Sequence, residues 1–320
     1  MQVQGDKSSE NANDNYMSFS HRHWKGETMD IKEFRYDGKR KFKIKDFNTD
    51  QTGEFENKSE VEARRGKHIQ RISELQDKLY AENKEGLLII IQAMDAAGKD
   101  GAIKHVLSGI NPAGISIRNF KVPSVEESNH DYMWRAMRYA PERGTIMIFN
   151  RSYYEEVLVV KVHNLHLKSQ LPDRCKTDMI FEDRYQQIKG YENYLYENGI
   201  RVVKLFLNIS KDEQKKQFLQ RIDDPSKNWK FSDGDMVERE SWDEYMEAFQ
   251  DMVNNTSTSD CPWYVIPCDK KWFAREVISE IIIQTLEAIN PQYPKVDEAR
   301  KAKLAEFRRK LMEEPESKKE

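Results

Sequence analysis

The chain has 320 residues, of which 38% are hydrophobic and 33% are charged, a composition that predicts one sizeable globular domain with polar ends. The formal net charge of -3 gives no overall attraction to nucleic acid or to membranes, so an anion site must come from local basic clusters. No apolar run reaches the roughly 18 residues of a membrane span. The three cysteines, Cys175, Cys261 and Cys268, lack metal-ligand spacing, which favours a reducing, cytoplasmic location.

A long helix is predicted first, because apolar residues recur mostly at three- or four-residue steps from about residue 60. They are Val61, Ile69, Ile72, Leu75 and Leu79. The continuous apolar run LLIIIQ (87–92) follows and is typical of a parallel strand covered on both faces.

Four more strands and three more helices are predicted along the rest of the chain. The strands lie at 115–122, 145–150, 201–209 and 263–268, and the helices at about 100–107, 175–198 and 273–289. Strands that alternate with helices predict an α/β fold with a mostly parallel five-stranded sheet flanked by helices. Ligands of such sheets bind at the carboxyl ends of the strands.

The loop AMDAAGKDG (93–101) comes directly after the first of these strands. It resembles the P-loop G-x-x-x-x-G-K-[ST] but has Ala93 at the first position and Asp100 at the hydroxyl position. Its small residues allow backbone amides to approach an anion, and the next helix contributes its positive N-terminal end. Lys99 supplies a mobile charge for phosphate oxygens.

Acids within the loop bear on metal binding. A P-loop normally uses its Ser or Thr hydroxyl to hold Mg²⁺, and Asp100 removes that ligand. Asp95 adds a carboxylate inside the loop, where it could bind a metal ion or orient an acceptor phosphate.

A second motif, IFNRSYYEEVLVVKVH (148–163), lies at the end of the third predicted strand. The second metal site of a P-loop enzyme usually has an acid there, but this strand ends in Asn150, followed by Arg151. The nearest acids, Glu155 and Glu156, lie about one helical turn onward. We predict that Glu155 is the metal-associated acid and that Glu156 is a surface acid.

A third motif is the basic stretch 211–235 after the fourth strand. It contains Lys215, Lys216, Arg221, Lys227 and Lys230. Pro225 and Gly234 interrupt it, which indicates a mobile basic lid that folds over bound phosphates. By itself such a stretch is also typical of a solvated helix face.

Together these motifs resemble the family-2 polyphosphate kinases, phosphotransferases with a P-loop kinase fold of the thymidylate-kinase-like type and a basic helical lid. The matching stretches are 92–114, 123–135, 141–163, 221–235 and 256–275, and the resemblance covers most of residues 40–290. Ala93 and Asp100 agree with that family's loop. Many members end the third strand in Asp-Arg-Ser, whereas this chain has Asn150-Arg151-Ser152. That variant is similar to the subgroup that phosphorylates both nucleoside mono- and diphosphates.

The resemblance implies transfer of a terminal phosphoryl group from inorganic polyphosphate to AMP or ADP, with GMP and GDP as further acceptors. The expected cofactor is Mg²⁺, for which Mn²⁺ could substitute, held by Asp95 and Glu155. The catalytic residues are expected to be Asp95, Lys99, Arg151 and Arg221. Polyphosphate is expected to bind Ala96, Ala97, Gly98, Lys99, Asp100, Gly101, Lys215, Lys216, Arg221 and Lys230. The acceptor nucleotide is expected to bind Asp95, Asp131, Arg135 and Asn150.

The predicted organisation has three parts. Residues 1–30 form a disordered or loosely docked arm, residues 31–293 form the phosphotransferase domain with its lid at about 211–255, and residues 294–320 form a charged tail. The family often self-associates, so a homo-oligomer, a dimer or tetramer, is expected. Polyphosphate and nucleotides are the expected partners, with neither nucleic acid nor membrane among them.

Two other functions fit parts of the sequence. An ATP-dependent nucleoside monophosphate kinase would use the same fold, but the missing Ser or Thr after Lys99 argues against it. A non-catalytic module that binds RNA or another polyanion would show basic patches with aromatic platforms and no paired acids. The acids in the loop at 93–101 and in the second motif favour an enzyme over such a module.

Overall fold

A six-stranded sheet organises the computed structural model, in which residues 28–314 are described. The strands are β1 (Arg35–Tyr36), β2 (Gly86–Ala93), β3 (Ile115–Asn119), β4 (Ile146–Asn150), β5 (Ile200–Asn208) and β6 (Trp263–Pro267). Their order across the sheet is β1-β6-β5-β2-β4-β3. Most of the predicted arm, residues 1–27, lies outside the described residues.

The five predicted strands are all present and pair in parallel, but the expectation of a five-stranded sheet was wrong. β1 adds a sixth strand antiparallel to β6, with Arg35 opposite Tyr264, so the sheet is mixed. Two residues are too few to show the alternation that identifies a strand in a sequence.

Eleven α-helices connect and cover these strands within residues 28–314. They are α1 (Lys58–Glu82), α2 (Lys99–Val106), α3 (Val125–Ser128), α4 (Trp134–Met137), α5 (Val159–Val162), α6 (Ile180–Glu197), α7 (Lys211–Asp223), α8 (Asp233–Glu240), α9 (Trp242–Thr256), α10 (Lys271–Ile289) and α11 (Glu298–Glu313). The helices predicted near 60, 100, 175 and 273 correspond to α1, α2, α6 and α10. The charged C-terminal segment contains α11, whose residues are exposed. None of the helices in the described residues is long and apolar enough to cross a membrane.

Strand β2 lies at the centre of the sheet between β5 and β4. Its residues Leu87 to Ile91 are at most 3% exposed, as expected for a continuous apolar strand covered on both faces. Because β2, β4 and β5 are parallel, their carboxyl ends meet at one edge. The loop after β2 and the segment after β4 are therefore neighbours.

A fully buried ion pair holds the segment after β4 in place through hydrogen bonds to two of its tyrosines. Nζ of Lys204, on β5, lies 2.6 Å from Oε2 of Glu192 on α6, and both side chains are at most 1% exposed. The hydroxyls of Tyr153 and Tyr154 donate to Oε1 of the same Glu192 at 2.9 and 2.7 Å. A buried network with its members hydrogen-bonded fixes the elements that it joins, here β5, α6 and the 3-10 helix Tyr153–Val157.

Candidate active site

The loop after β2 has a backbone suited to anion binding. Ala96 and Gly98 adopt left-handed conformations, with φ of 65° and 97°, and such strain in a non-glycine residue is concentrated at functional sites. Gly98 is the N-cap of α2, and no side chain in the described structure caps that end. The first amides of α2 and its positive dipole end are therefore directed at the space in front of the loop.

Lys99 folds back beneath this loop. Its Nζ donates to the carbonyl oxygen of Ala93 at 3.0 Å. Burial lowers the pKa of Lys99, and the nearby carboxylate of Asp95 only partly offsets that effect. An ammonium group in a poorly solvated position interacts more strongly with an arriving phosphate than an exposed one does.

Asp95 and Arg151 form an ion pair at the carboxyl end of the sheet, with Nη2 of Arg151 2.8 Å from Oδ1 of Asp95. Burial opposes ionisation of Asp95, but Lys99 and Arg151 outweigh it and hold the pKa of that carboxyl below its usual value. Arg151 has a φ of 61°, and its amide donates to the carbonyl oxygen of Ile91 at 3.0 Å. The pair is thus anchored through both backbone and side chain.

Oxygen ligands suitable for a hard cation lie around this ion pair. Gln92 donates to Oε1 of Glu155 at 3.0 Å, and Asn150 donates to Oδ1 of Asp100 at 2.8 Å. Among the described residues, the amide oxygens of Gln92 and Asn150 are buried and accept no hydrogen bond. Carboxylate and amide oxygens are the ligands that Mg²⁺ prefers, so these residues fit the expected cofactor.

A cavity of about 390 Å³ lies in front of the loop. Its lining includes the predicted residues Asp95, Ala96, Ala97, Gly98, Lys99, Asp100, Gly101, Arg221 and Lys230. The loop and the basic stretch after β5, more than a hundred residues apart in sequence, thus face the same space.

Arg221 connects the elements of the basic stretch. It donates to the carbonyl oxygen of Lys230 at 3.1 Å and lies 3.3 Å from Oδ2 of Asp235. These contacts join α7 to the 3-10 helix Asn228–Lys230 and to α8. The side chain of Arg221 is 21% exposed, so it is held in position while still reaching the cavity.

Two predicted polyphosphate ligands, Lys215 and Lys216, lie outside the lining of this cavity and are exposed. The α7 residues that line it are Gln217, Gln220 and Arg221. These three share one helix face at spacings of three and four residues. Lys216 instead lies 3.5 Å from Glu213.

Asp131 and Arg135, the predicted acceptor ligands, have structural partners. Oδ1 of Asp131 accepts from the amides of Met133 and Trp134 at 2.9 and 3.1 Å. Arg135 is 7% exposed, and it donates to the carbonyl oxygen of Lys121 at 2.7 Å. In this structure both side chains stabilise the segment between β3 and β4.

The segment after β6 contributes residues to the cavity that were not predicted from the sequence, among them Cys268, Lys271 and Arg275. Lys271 and Arg275 lie one turn apart at the start of α10. They follow the last strand, β6, and no pattern in the sequence shows that β6 lies beside β5. Sγ of Cys268 donates to the carbonyl oxygen of Ala97 at 3.0 Å, and burial raises the pKa of this thiol to about 12. The neutral thiol therefore supports the loop.

Fold and site together define an α/β protein built to bind a polyanion at the carboxyl edge of its sheet. The family described as Polyphosphate kinase 2 (PPK2) matches residues 56–294. The chain is 49% identical over 246 residues to the ADP-polyphosphate phosphotransferase of Rhodopseudomonas palustris, covering 76% of this chain and 85% of that protein. It is 40% identical over 270 residues to the AMP/ADP-polyphosphate phosphotransferase of Meiothermus ruber, covering 84% and 97%.

A solved structure shows the same fold. Polyphosphate kinase 2 from Arthrobacter aurescens aligns with a TM-score of 0.78 at 37% identity, covering 86% of this chain and 96% of that one. The chain belongs to the polyphosphate kinase 2 family, which confirms the resemblance seen in its motifs.

Proposed function

We propose that this protein transfers the terminal phosphoryl group of inorganic polyphosphate to nucleoside mono- and diphosphates, in a P-loop kinase fold of the thymidylate-kinase-like type. The observation that carries the proposal is the shared cavity, in which the loop after β2 faces cations from α7, α10 and the 3-10 helix Asn228–Lys230. Relatives named as polyphosphate phosphotransferases of ADP and of AMP and ADP support the same reaction.

The reaction exchanges one phosphoanhydride bond for another. A terminal phosphate oxygen of the acceptor attacks the terminal phosphorus of polyphosphate, the bridging P–O bond breaks, and the shortened chain leaves with the bridging oxygen. The attacking oxygen is already ionised near neutral pH, so catalysis consists mainly of positioning and charge stabilisation. A site rich in Lys and Arg suits that requirement.

The roles proposed for individual residues follow from their positions. Lys99 and Arg151 stabilise the charge on the transferred phosphoryl group, while Asp95 orients Arg151 through their 2.8 Å contact. Arg221 and Lys230, which line the cavity, hold the donor chain together with the newly found Lys271. The elements from 211 to 255 are the proposed lid.

Magnesium is the proposed cofactor, with Asp95 and Glu155 as its carboxylates and the amide oxygens nearby as further ligands. When bound, the ion neutralises charge on phosphate oxygens that would otherwise repel one another. Asn150 is proposed for the acceptor side, because it lies at the end of β4 beside the loop.

The decisive experiment uses purified protein, Mg²⁺, long-chain polyphosphate and either AMP or ADP, with ADP and ATP formation measured. The proposal expects ATP from ADP and both products from AMP. Absence of product with every acceptor would refute it. ADP from AMP without ATP from ADP would refute only the broad acceptor range.

The family match argues against the two other functions considered, an ATP-dependent monophosphate kinase and a non-catalytic RNA-binding module. ATP as sole donor would nevertheless restore the first of these. The homo-oligomer and the cytoplasmic location stay predictions, and light scattering of the purified protein tests the oligomeric state.

A further inference from the structure

Arg275 lies between the main cavity and a second, smaller one. It lines both, and the second cavity, of about 70 Å³, is formed by residues of α1, α2 and α10. A Cβ atom added to Gly101 would lie 3.6 Å from Nη2 of Arg275, so the guanidinium group stands next to the first turn of α2. A ligand that passes along the loop therefore meets Arg275 and then the second cavity.

The second cavity has excess positive charge. Arg65 and Arg275 both line it, and within residues 28–314 neither forms an ion pair. Burial and the neighbouring Arg65 lower the pKa of Arg275, as expected when like charges face each other. Two partly exposed guanidinium groups in this arrangement favour an anion between them.

The acids of the second cavity do not supply that anion. Glu62 lies 2.9 Å from Lys58, and Glu276 lies 3.0 Å from Arg64 and 3.3 Å from His68. Lys58 lowers the pKa of Glu62 most, and Arg65 adds a smaller contribution. Glu62 therefore offsets only part of the charge of Arg65, and neither acid forms an ion pair with Arg65 or Arg275 within the described residues.

His105 adds a ring nitrogen on the α2 side. Its Nδ1 lies 2.9 Å from the carbonyl oxygen of Gly101, which assigns the hydrogen to Nδ1 and leaves Nε2 for another contact. Burial lowers the pKa of His105, the hydrogen bond to Gly101 opposes that shift, and Arg275 and Arg65 add to it. The ring therefore lies within electrostatic reach of both arginines.

We propose that the mouth of the second cavity is a distal subsite for inorganic polyphosphate, formed by Arg275, Arg65 and His105. A chain whose reacting end lies at the loop passes Lys271 and Arg275, which are one turn of about 5.4 Å apart along α10, and reaches Arg65 on α1. This subsite rests on the proposed function, because it holds the part of the donor that does not react. Its occupancy requires a chain longer than the catalytic segment.

The test measures binding of two probes, long-chain polyphosphate and tripolyphosphate, by titration calorimetry. Arg65→Ala is expected to weaken binding of the long chain about three- to ten-fold, as loss of one charged contact does, and to leave tripolyphosphate binding unchanged. Arg65→Lys should restore part of the affinity. The control is Lys78→Ala, which removes the same charge from the same helix outside both linings and should bind both probes like the wild type.

The outcomes separate this subsite from the proposed function. Unchanged long-chain affinity in Arg65→Ala, or an equal loss for both probes, overturns the subsite. A wild-type protein that binds neither probe removes polyphosphate as the donor altogether. Circular dichroism and thermal melting of Arg65→Ala check that the exposed substitution leaves the fold intact.

Discussion

Nη2 of Arg151 lies 2.8 Å from Oδ1 of Asp95, although the two residues are separated by more than fifty positions in the chain. The contact follows from the sheet, because β2 and β4 are parallel neighbours with Ile91 opposite Asn150. Each residue comes just after its strand, so the sheet itself brings them together. The side chain of Arg151 is 42% exposed, so its guanidinium group can contact a phosphate while Asp95 holds it.

Arg151→Lys is therefore expected to lower kcat by about 10²- to 10³-fold. The planar guanidinium group of arginine can donate hydrogen bonds to Asp95 and to a phosphoryl oxygen at the same time. The single ammonium group of lysine cannot match that geometry. Steady-state kinetics with polyphosphate and ADP measure the effect. The matched control, Arg300→Lys on the exposed helix α11, should retain wild-type kcat, and near-native activity of Arg151→Lys would remove it from the catalytic residues.

Lys271→Ala is expected to raise KM for polyphosphate more than Lys216→Ala does. Lys271 lines the cavity, whereas the side chain of Lys216 is 73% exposed and pairs with Glu213, and exposed pairs contribute little. A rise of about three- to ten-fold for Lys271→Ala corresponds to one charged contact. The reverse order of effects would show that the donor follows the outer face of α7, as the sequence alone suggests.

Glu155→Gln tests the proposed metal site. The amide keeps the shape of the side chain and a possible hydrogen bond with Gln92, but it removes the negative charge that attracts Mg²⁺. We expect the Mg²⁺ concentration for half-maximal activity to rise about ten-fold or more. Titration of activity with MgCl₂ measures this, and an unchanged curve would exclude Glu155 as a ligand.

How much the sequence predicts depends on whether a signal is local. The position of the loop at 93–101, between β2 and α2, was predicted, because its small residues, its lysine and the preceding apolar strand are contiguous. The five long strands were found for the same reason. β1 was missed because its two residues are ordered by their pairing with β6, and that pairing has no local pattern.

The basic residues of the site could not be assigned from the sequence, because their positions depend on contacts between distant elements. The sequence places Lys215, Lys216 and Arg221 in one basic stretch, but only the orientation of α7 decides which of them line the cavity. Lys271 and Arg275 reach it because β6 lies beside β5 in the sheet. Composition and spacing carry no information about that adjacency, so these two cations were found only in the structure.

The buried pair of Lys204 and Glu192 gives a prediction about stability. Lys204→Met leaves Glu192 as a buried charge without its cation, which costs about 3–5 kcal/mol of unfolding free energy. The double variant Lys204→Met with Glu192→Leu removes both charges and should recover part of that loss, although Tyr153 and Tyr154 then lose their acceptor. Urea denaturation of the three proteins measures the difference, and a single variant as stable as the wild type would contradict the role of the network.

The pH dependence of stability is expected to reflect His68 on α1, which lies 3.3 Å from Glu276 and 3.2 Å from Glu280 on α10. Burial opposes its protonation, but the two carboxylates outweigh burial and raise the pKa of His68 to about 9. Because the folded protein then binds a proton that the unfolded chain, with a pKa near 6.5, releases, this contribution is complete below pH 6.5. It is lost as the pH rises toward 9.

The difference between those two pKa values corresponds to about 3 kcal/mol at most. Unfolding free energies of the wild type and His68→Gln, measured by urea denaturation from pH 6 to pH 9.5, should therefore differ most at the acid end of the range. The gap should narrow steadily between pH 6.5 and pH 9. A gap that stays constant over this range would mean that His68 stabilises the α1–α10 interface by packing alone, since packing contributes equally in both protonation states.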